Sequence, residues 1–156
     1  MRIHVLAVGT RMPDWVRAGV DEYTRRMPPE LPVQWHEIRA EPRNRQPDPA
    51  RCMAREAERL TAALPAGAWR VLLDEHGRER DTKGLAERLQ HWRERAAPVA
   101  LVIGGPDGLD PALRASADET LSLSRLTLPH PIVRVVLAEQ LYRAWSVTTG
   151  HPYHRE

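Results

Sequence analysis

Three groups of residues in this 156-residue chain have types and spacings suited to chemistry. The last six, His151-Pro152-Tyr153-His154-Arg155-Glu156, gather two imidazoles, a phenol and a guanidinium where most chains end blandly. Such a tail either frays into solvent or folds over a pocket, where it supplies a proton acceptor, a cation and a stacking ring. His130, His151 and His154 have atoms that bind metals, but no carboxylate or cysteine stands at a ligand spacing, so no metal is expected. The second group is Gly104-Gly105-Pro106-Asp107-Gly108, three glycines in five residues after an apolar run. Ligands of open α/β sheets bind beyond the carboxyl ends of strands, which is where this loop falls. It matches neither the dinucleotide fingerprint nor a phosphate-cradling loop, since no Lys follows, and a tight turn explains it equally well. The third group is Arg134 and Arg143 in an otherwise apolar stretch. Glu139, four residues before Arg143, offers an intrahelical ion pair; the alternative is an anion clamp at a subunit boundary.

These residues need elements to position them. Strand-like runs at Ile3–Val8, Val33–Ile38, Trp69–Asp74 and Val99–Ile103 are separated by segments with helical periodicity. That alternation predicts an α/β fold, a mostly parallel sheet flanked by helices. A first helix starts near Pro13 with Val16, Val20, Tyr23 and Met27 on one stripe, and Pro28-Pro29 ends it. A Pro- and Arg-rich loop from Glu41 to Pro47 precedes an Asp48 cap and a helix whose stripe is Met53, Ala57, Leu60 and Leu64. Cys52 on that helix reads as ordinary packing. A turn through Gly77 leads to Asp81-Thr82 and a helix burying Leu85, Leu89 and Trp92, with Glu87, Arg88, Arg93, Glu94 and Arg95 on a solvated face. A short helix runs from Asp110-Pro111 to about Ala117, and Leu121–Leu128 alternates with period two as a strand does. Ile132–Val147 is apolar almost all round and too long for a strand, so a helix covered on more than one side is expected. In a chain this small, a partner subunit is the natural cover.

Length and composition fit one domain of residues 1–156. No apolar run approaches the roughly 20 residues of a membrane span, and a lone cysteine excludes a disulfide framework or cysteine zinc site. A cytoplasmic location is expected. Net charge is only +2, so charge alone announces no nucleic-acid binder. All but one of the 23 Lys and Arg residues are arginine, a bias that codon composition explains for most of them.

Taken together, five segments resemble the bacterial ribosomal large-subunit pseudouridine N3-methyltransferases of the SPOUT class. They are Ala7-Val8-Gly9-Thr10-Arg11-Met12-Pro13-Asp14-Trp15, Leu101 through Leu109, Leu123-Ser124-Arg125-Leu126-Thr127-Leu128-Pro129-His130-Pro131, Glu139 through Ser146, and His151 through Glu156. The resemblance spans essentially the whole chain. It implies an α/β domain with a C-terminal trefoil knot over residues 98–156, against the general rule that chains do not thread loops. It further implies a homodimer that uses S-adenosyl-L-methionine to methylate N3 of a pseudouridine in 23S ribosomal RNA, with the assembled ribosome as the form of substrate.

Carried onto this sequence, the resemblance assigns the cofactor pocket to Leu73, Gly104, Gly105 and the run Leu123, Ser124, Arg125, Leu126, Thr127, Leu128. Glycine lets backbone approach a bent cofactor, leucines sandwich its adenine, and Thr127 adds a hydroxyl. Arg125 is expected to contribute backbone only, its side chain pointing outward. Arg143 is assigned to the developing imide anion, His154 to the departing proton, Tyr153 to the base and Arg155 to phosphate. Two rivals fit the same residues: a knotted methyltransferase acting on another RNA such as transfer RNA, and a non-catalytic ribosome-binding factor.

Overall fold

A computed structural model describes residues 1–155; Glu156 lies outside the described residues. The elements run β1 (Ile3–Val8), α1 (Asp14–Arg26), β2 (Val33–Ile38), α2 (Pro49–Ala63), β3 (Trp69–Glu79), α3 (Thr82–Glu94), β4 (Val99–Ile103), α4 (Pro111–Ala115), β5 (Glu119–Ser122) and α5 (His130–Thr149). The five strands form one sheet in the order β2-β1-β4-β3-β5, every neighbouring pair parallel. The expected α/β class, a parallel sheet flanked by helices, is therefore the observed one.

Strand pleat sorts the core into two layers. Ile3, Val5, Ala7, Val71, Leu73, Leu101 and Ile103 face one side, where Leu85, Leu89 and Trp92 of α3 and Leu137 and Leu141 of α5 cover them. Leu6, Val8, Leu72, Ala100 and Val102 face the other, under Leu60 of α2 and Leu113 of α4. β4 is buried at all five positions, as a strand with helices on both faces must be. Each fully buried Leu or Ile here contributes roughly 1.5–3 kcal/mol, so the strands' carboxyl ends are held on a stiff base.

Capping follows the sequence closely. Asp48 accepts from the Arg51 amide, Asp81 from Gly84, and Asp110 from Ala112 and Leu113, each opening its helix. Gly150, left-handed at φ +70°, closes α5 and turns the chain back on itself.

Four expectations need correction. β3 does not turn at Gly77 but continues to Glu79 past an irregularity between Leu73 and Arg78. A Cβ at Gly77 would lie 2.9 Å from the Leu121 amide nitrogen, so this glycine serves the close approach of β5 rather than a turn. Leu121–Leu128 is not one strand, since β5 stops at Ser122. Ser122 Oγ donates to the Ser124 carbonyl (2.9 Å) and Ser124 Oγ accepts from the Leu126 amide (2.9 Å), so these serines bind local backbone in place of a ladder. On α2 the expected stripe is met in part: Leu60 is buried and Ala57 and Leu64 pack against the core, but Cys52 and Glu56 are buried as well, Glu56 in an ion pair with Arg43. On α3, Arg88 is not simply solvated: it binds Glu119, which also receives the indole N–H of Trp92 at 2.6 Å. Burial alone would raise the Glu119 pKa, but hydrogen bonds from Arg88, Trp69 and Trp92 hold it below its ordinary value and anchor edge strand β5.

Candidate active site

A cavity of about 680 Å³ opens beyond the carboxyl ends of β3, β4 and β5. Strand ends supply Leu73, Ile103 and Leu121; the loop after β4 supplies Gly104 through Leu109; the loop after β5 closes the far wall and runs into α5. Both loops have irregular backbone for stated reasons. After β4, the Gly108 amide returns to the Gly105 carbonyl (3.0 Å) with Gly108 at φ +87°. A Cβ on Gly104 would stand 2.9 Å from the Gly108 carbonyl carbon and oxygen, so the loop folds back on itself only with glycine there. After β5, Pro129 and Pro131 have no amide hydrogen to extend a ladder, and Pro131 lies in the first turn of α5.

Of the residues singled out in the sequence, Leu73, Gly104, Gly105, Leu123, Ser124, Leu126, Thr127 and Leu128 lie on this wall. Arg125 does not: its side chain is exposed and approaches Glu79 at 3.6 Å, in keeping with the outward direction expected of it. Sequence reasoning did not assign the charged and imidazole groups of this wall to the pocket, among them Glu75, His76, Arg114, Asp74 and His130. Asp74, at the tip of β3, accepts from Arg114 at 2.8 Å, and its only signal was its place one residue beyond Leu73. His130, at the start of α5, has its pKa pushed below 6.5, first by burial and then by the charge of Arg134.

Arg134 itself is buried. It donates to the carbonyls of Val8 (3.2 Å) and Gly9 (2.8 Å) and to Glu37 (2.8 Å), tying α5 to the ends of β1 and β2. Every acceptor comes from another element, so this arginine is a brace between layers.

The tail forms a second constellation. Glu139 Oε1 accepts from Arg143 Nε at 2.6 Å and from the Tyr153 hydroxyl at 3.1 Å, while the Arg143 guanidinium lies 4.8 Å from the centre of the Tyr153 ring. Tyr153 also packs on Tyr142 with ring centres 4.6 Å apart. Burial, then contacts with Tyr23 and Glu139, push the Tyr153 phenol well above its ordinary pKa. The bond to Glu139 raises that of Arg143, which stays cationic. The intrahelical pair expected from the 139/143 spacing is thus present, but it holds an aromatic tail as well. His154 Nδ1 and Trp145 Nε1 are buried without a hydrogen-bond partner among the described residues. Neither Arg143 nor any of Tyr153, His154 and Arg155 lines the cavity of its own chain. Among the described residues no group of three or more His, Cys, Asp or Glu side chains is arranged to hold a metal. No described helix is long and apolar enough to cross a membrane.

Comparison with known families decides what this geometry is. The family profile described as "Predicted SPOUT methyltransferase" matches residues 1–154. The chain belongs to the SPOUT methyltransferase family. Among its relatives, Ribosomal RNA large subunit methyltransferase H of Bordetella avium is 54% identical over 155 residues, covering 99% of each chain. The protein of the same name from Acidithiobacillus ferrooxidans is 56% identical over 155 residues, covering 99% of this chain and 98% of that one. A solved structure described as a probable methylase family protein from Haemophilus influenzae Rd KW20 superposes with a TM-score of 0.55 at 12% identity, covering 97% of this chain and 69% of that one. That likeness extends to the fold.

SPOUT methyltransferases take their methyl group from S-adenosylmethionine. The cavity fits such a molecule. Its volume is in the range of cofactor pockets, and leucines offer apolar faces for a purine. The loop after β5, whose backbone pairs with no neighbouring strand, presents peptide groups to a ring edge. The Asp74 carboxylate supplies an acceptor for hydroxyls or an amine.

Proposed function

We propose that this SPOUT methyltransferase methylates N3 of a pseudouridine in large-subunit (23S) ribosomal RNA, acting in the cytoplasm on the assembled ribosomal particle. The observation that carries this reading is the full-length identity, above 50%, with proteins named ribosomal RNA large subunit methyltransferase H. Residues 1–156 form one domain in this reading, with 98–156 supplying the trefoil knot, the cofactor pocket and the functional tail.

Leu73, Gly104, Gly105, Leu123, Ser124, Leu126, Thr127 and Leu128 hold the cofactor, with Arg125 contributing backbone alone. When bound, S-adenosylmethionine supplies an electrophilic methyl group on a positively charged sulfur. The acceptor is an imide nitrogen that has to lose its proton, and His154 receives it. Arg143 meets the negative charge that develops on the imide, its Nε fixed by Glu139 so that its other N–H groups face the base. Tyr153, clamped between Glu139 and Tyr142, stacks against the base, and Arg155 meets a phosphate. Holding the two reactants in line removes much of the entropic barrier.

A homodimer supports this assignment better than a lone chain. The tail docks on its own α5 and not on its own cavity, so it reaches a cavity by belonging to the other subunit. Two large apolar side chains stand in solvent on the single chain, Trp15 (57% exposed) and Leu126 (75%). The unpartnered Trp145 Nε1 and His154 Nδ1 are further groups that a second copy would satisfy.

The test is mass mapping of methylated nucleosides in 23S RNA from a strain lacking the gene, with and without the gene restored. Loss of one N3-methylpseudouridine and its return is the expected result. An unchanged map would remove this substrate, and a calorimetric titration without S-adenosylmethionine affinity would favour a non-catalytic ribosome-binding factor.

A further inference from the structure

The Pro- and Arg-rich segment joining β2 to α2 belongs to neither the cavity nor the tail, yet the fold leaves much of its charge unpaired. From Arg39 to Arg59, six arginines meet four carboxylates. Two of the six are used internally. Arg43 pairs with the buried Glu56 and donates to Asp107 at 2.9 Å. Arg59 pairs with Glu41 at 2.6 Å and donates to the Arg39 carbonyl at 3.0 Å. Asp48 is used as the cap of α2. Arg39, Arg45, Arg51 and Arg55 are left exposed, with no carboxylate partner within 4.0 Å among the described residues, and Glu58 is the remaining acid of the segment.

Composition alone does not explain this. On α1 the exposed arginines are neutralised locally, Arg17 by Asp14 and Arg25 and Arg26 by Glu22. Other exposed arginines without an ion pair among the described residues, such as Arg2, Arg11, Arg78 and Arg95, are scattered along the chain rather than gathered in one segment. Three of the four free cations are also gathered, and Arg45 stands two residues along the loop from Arg43. Arg51 and Arg55 are one turn apart on α2, and Arg55 and Arg39, after Arg59 itself, lie close enough to Glu41 to hold its carboxyl below the ordinary value. The segment borders the cavity, because Asp107, bound by Arg43, is part of the cavity wall.

We infer that the β2–α2 connection and the first turns of α2 form a phosphate track for substrate RNA, with Arg39, Arg45, Arg51 and Arg55 meeting backbone phosphates that pass the Gly104–Gly108 side of the cavity. This rests on the RNA-substrate reading above and extends it to a surface. Guanidinium forks match phosphate geometry, and Pro42, Pro47 and Pro49 limit the freedom that binding would otherwise freeze. Such contacts give affinity and register without sequence, which leaves base choice to the cavity and tail.

The experiment replaces all four with glutamine (R39Q, R45Q, R51Q, R55Q) and measures binding to large ribosomal subunits purified from the deletion strain across a salt series. Each lost phosphate contact lowers the slope of log affinity against log salt by roughly 0.7–0.9, so the slope should fall by about 3. At 0.15 M salt the KM for subunits should rise about tenfold or more, with S-adenosylmethionine affinity unchanged. The R51Q, R55Q pair should show about half the change in slope. A K83Q, R93Q variant on α3 controls for net charge and should keep the wild-type slope. A four-site variant that folds, binds S-adenosylmethionine and keeps the wild-type slope overturns the track. If the wild type binds subunits without methylating them, the proposed activity fails while the comparison of slopes still judges the surface.

Discussion

The cavity and the tail cluster are built from opposite materials. The cavity is made of strand ends, leucines and backbone bent by glycine and proline, with the Asp74 carboxylate on its wall neutralised by Arg114. The tail cluster is made of charges and rings: Glu139, Arg143, Tyr142 and Tyr153 in mutual contact, with His154 left partly unsatisfied beside them. A pocket of the first kind holds a molecule by shape. A cluster of the second kind stabilises charge and moves protons. One chain does not bring them together; in the proposed homodimer, methyl donor and acceptor are handled by separate regions that meet through assembly.

Variants can break this division. Arg143→Ala should lower methyl transfer by about 10²–10³-fold, the scale of losing one preorganised donor to a developing anion, with S-adenosylmethionine affinity within about twofold of wild type. His154→Ala should cost about 10²-fold, the lower end for a lost proton acceptor. Single-turnover methylation with calorimetry of cofactor binding checks both, and a parallel loss of cofactor affinity would merge the two regions into one.

Gly104→Ala is the mirror experiment. Its methyl would press on the Gly108 backbone, so cofactor affinity should fall about tenfold or more through a displaced loop, with roughly 1–3 kcal/mol lost from stability. Mixing Gly104→Ala subunits with Arg143→Ala subunits should then restore about a quarter of wild-type turnover, since random pairing of a symmetric dimer gives half mixed dimers with one intact composite site each. No recovery would place both functions within one subunit.

Arg134→Met should leave the reacting groups in place but remove the brace between layers. A loss of roughly 3 kcal/mol in urea unfolding is expected, because the carbonyls of Val8 and Gly9 lose a charged donor in a buried setting. The smallest effect is on pH. The His130 pKa is lowered in the fold, so the unfolded chain takes up the proton first as pH falls through 6.5 and stability declines from there downward. His130→Asn should flatten that part of a stability curve measured between pH 8 and 5. Tyr153 behaves oppositely: its raised pKa makes stability fall as pH rises above the ordinary phenol value of 10.0.

Local signals carried much of this molecule. β1, β4 and the first half of β3 were legible as apolar runs, β2 as a shorter strand-like run of mixed polarity, and the caps at Asp48, Asp81 and Asp110 because capping is decided within a few residues of chain. The apolar character of α5 and the spacing of Glu139 and Arg143 likewise showed in the sequence, as did the likeness to a methyltransferase family. Non-local forces decided the rest. Serine hydroxyls turned an alternating stretch into a cavity wall, an ion pair with Arg43 accompanies the burial of Glu56 on α2, and close approach of β5 put Gly77 inside a strand. Only the tertiary structure showed that the tail lies against its own α5 and away from its own cavity. The docking of Tyr153 depends on partners on α5 up to 14 residues back along the chain, and such a meeting is set by packing rather than by spacing.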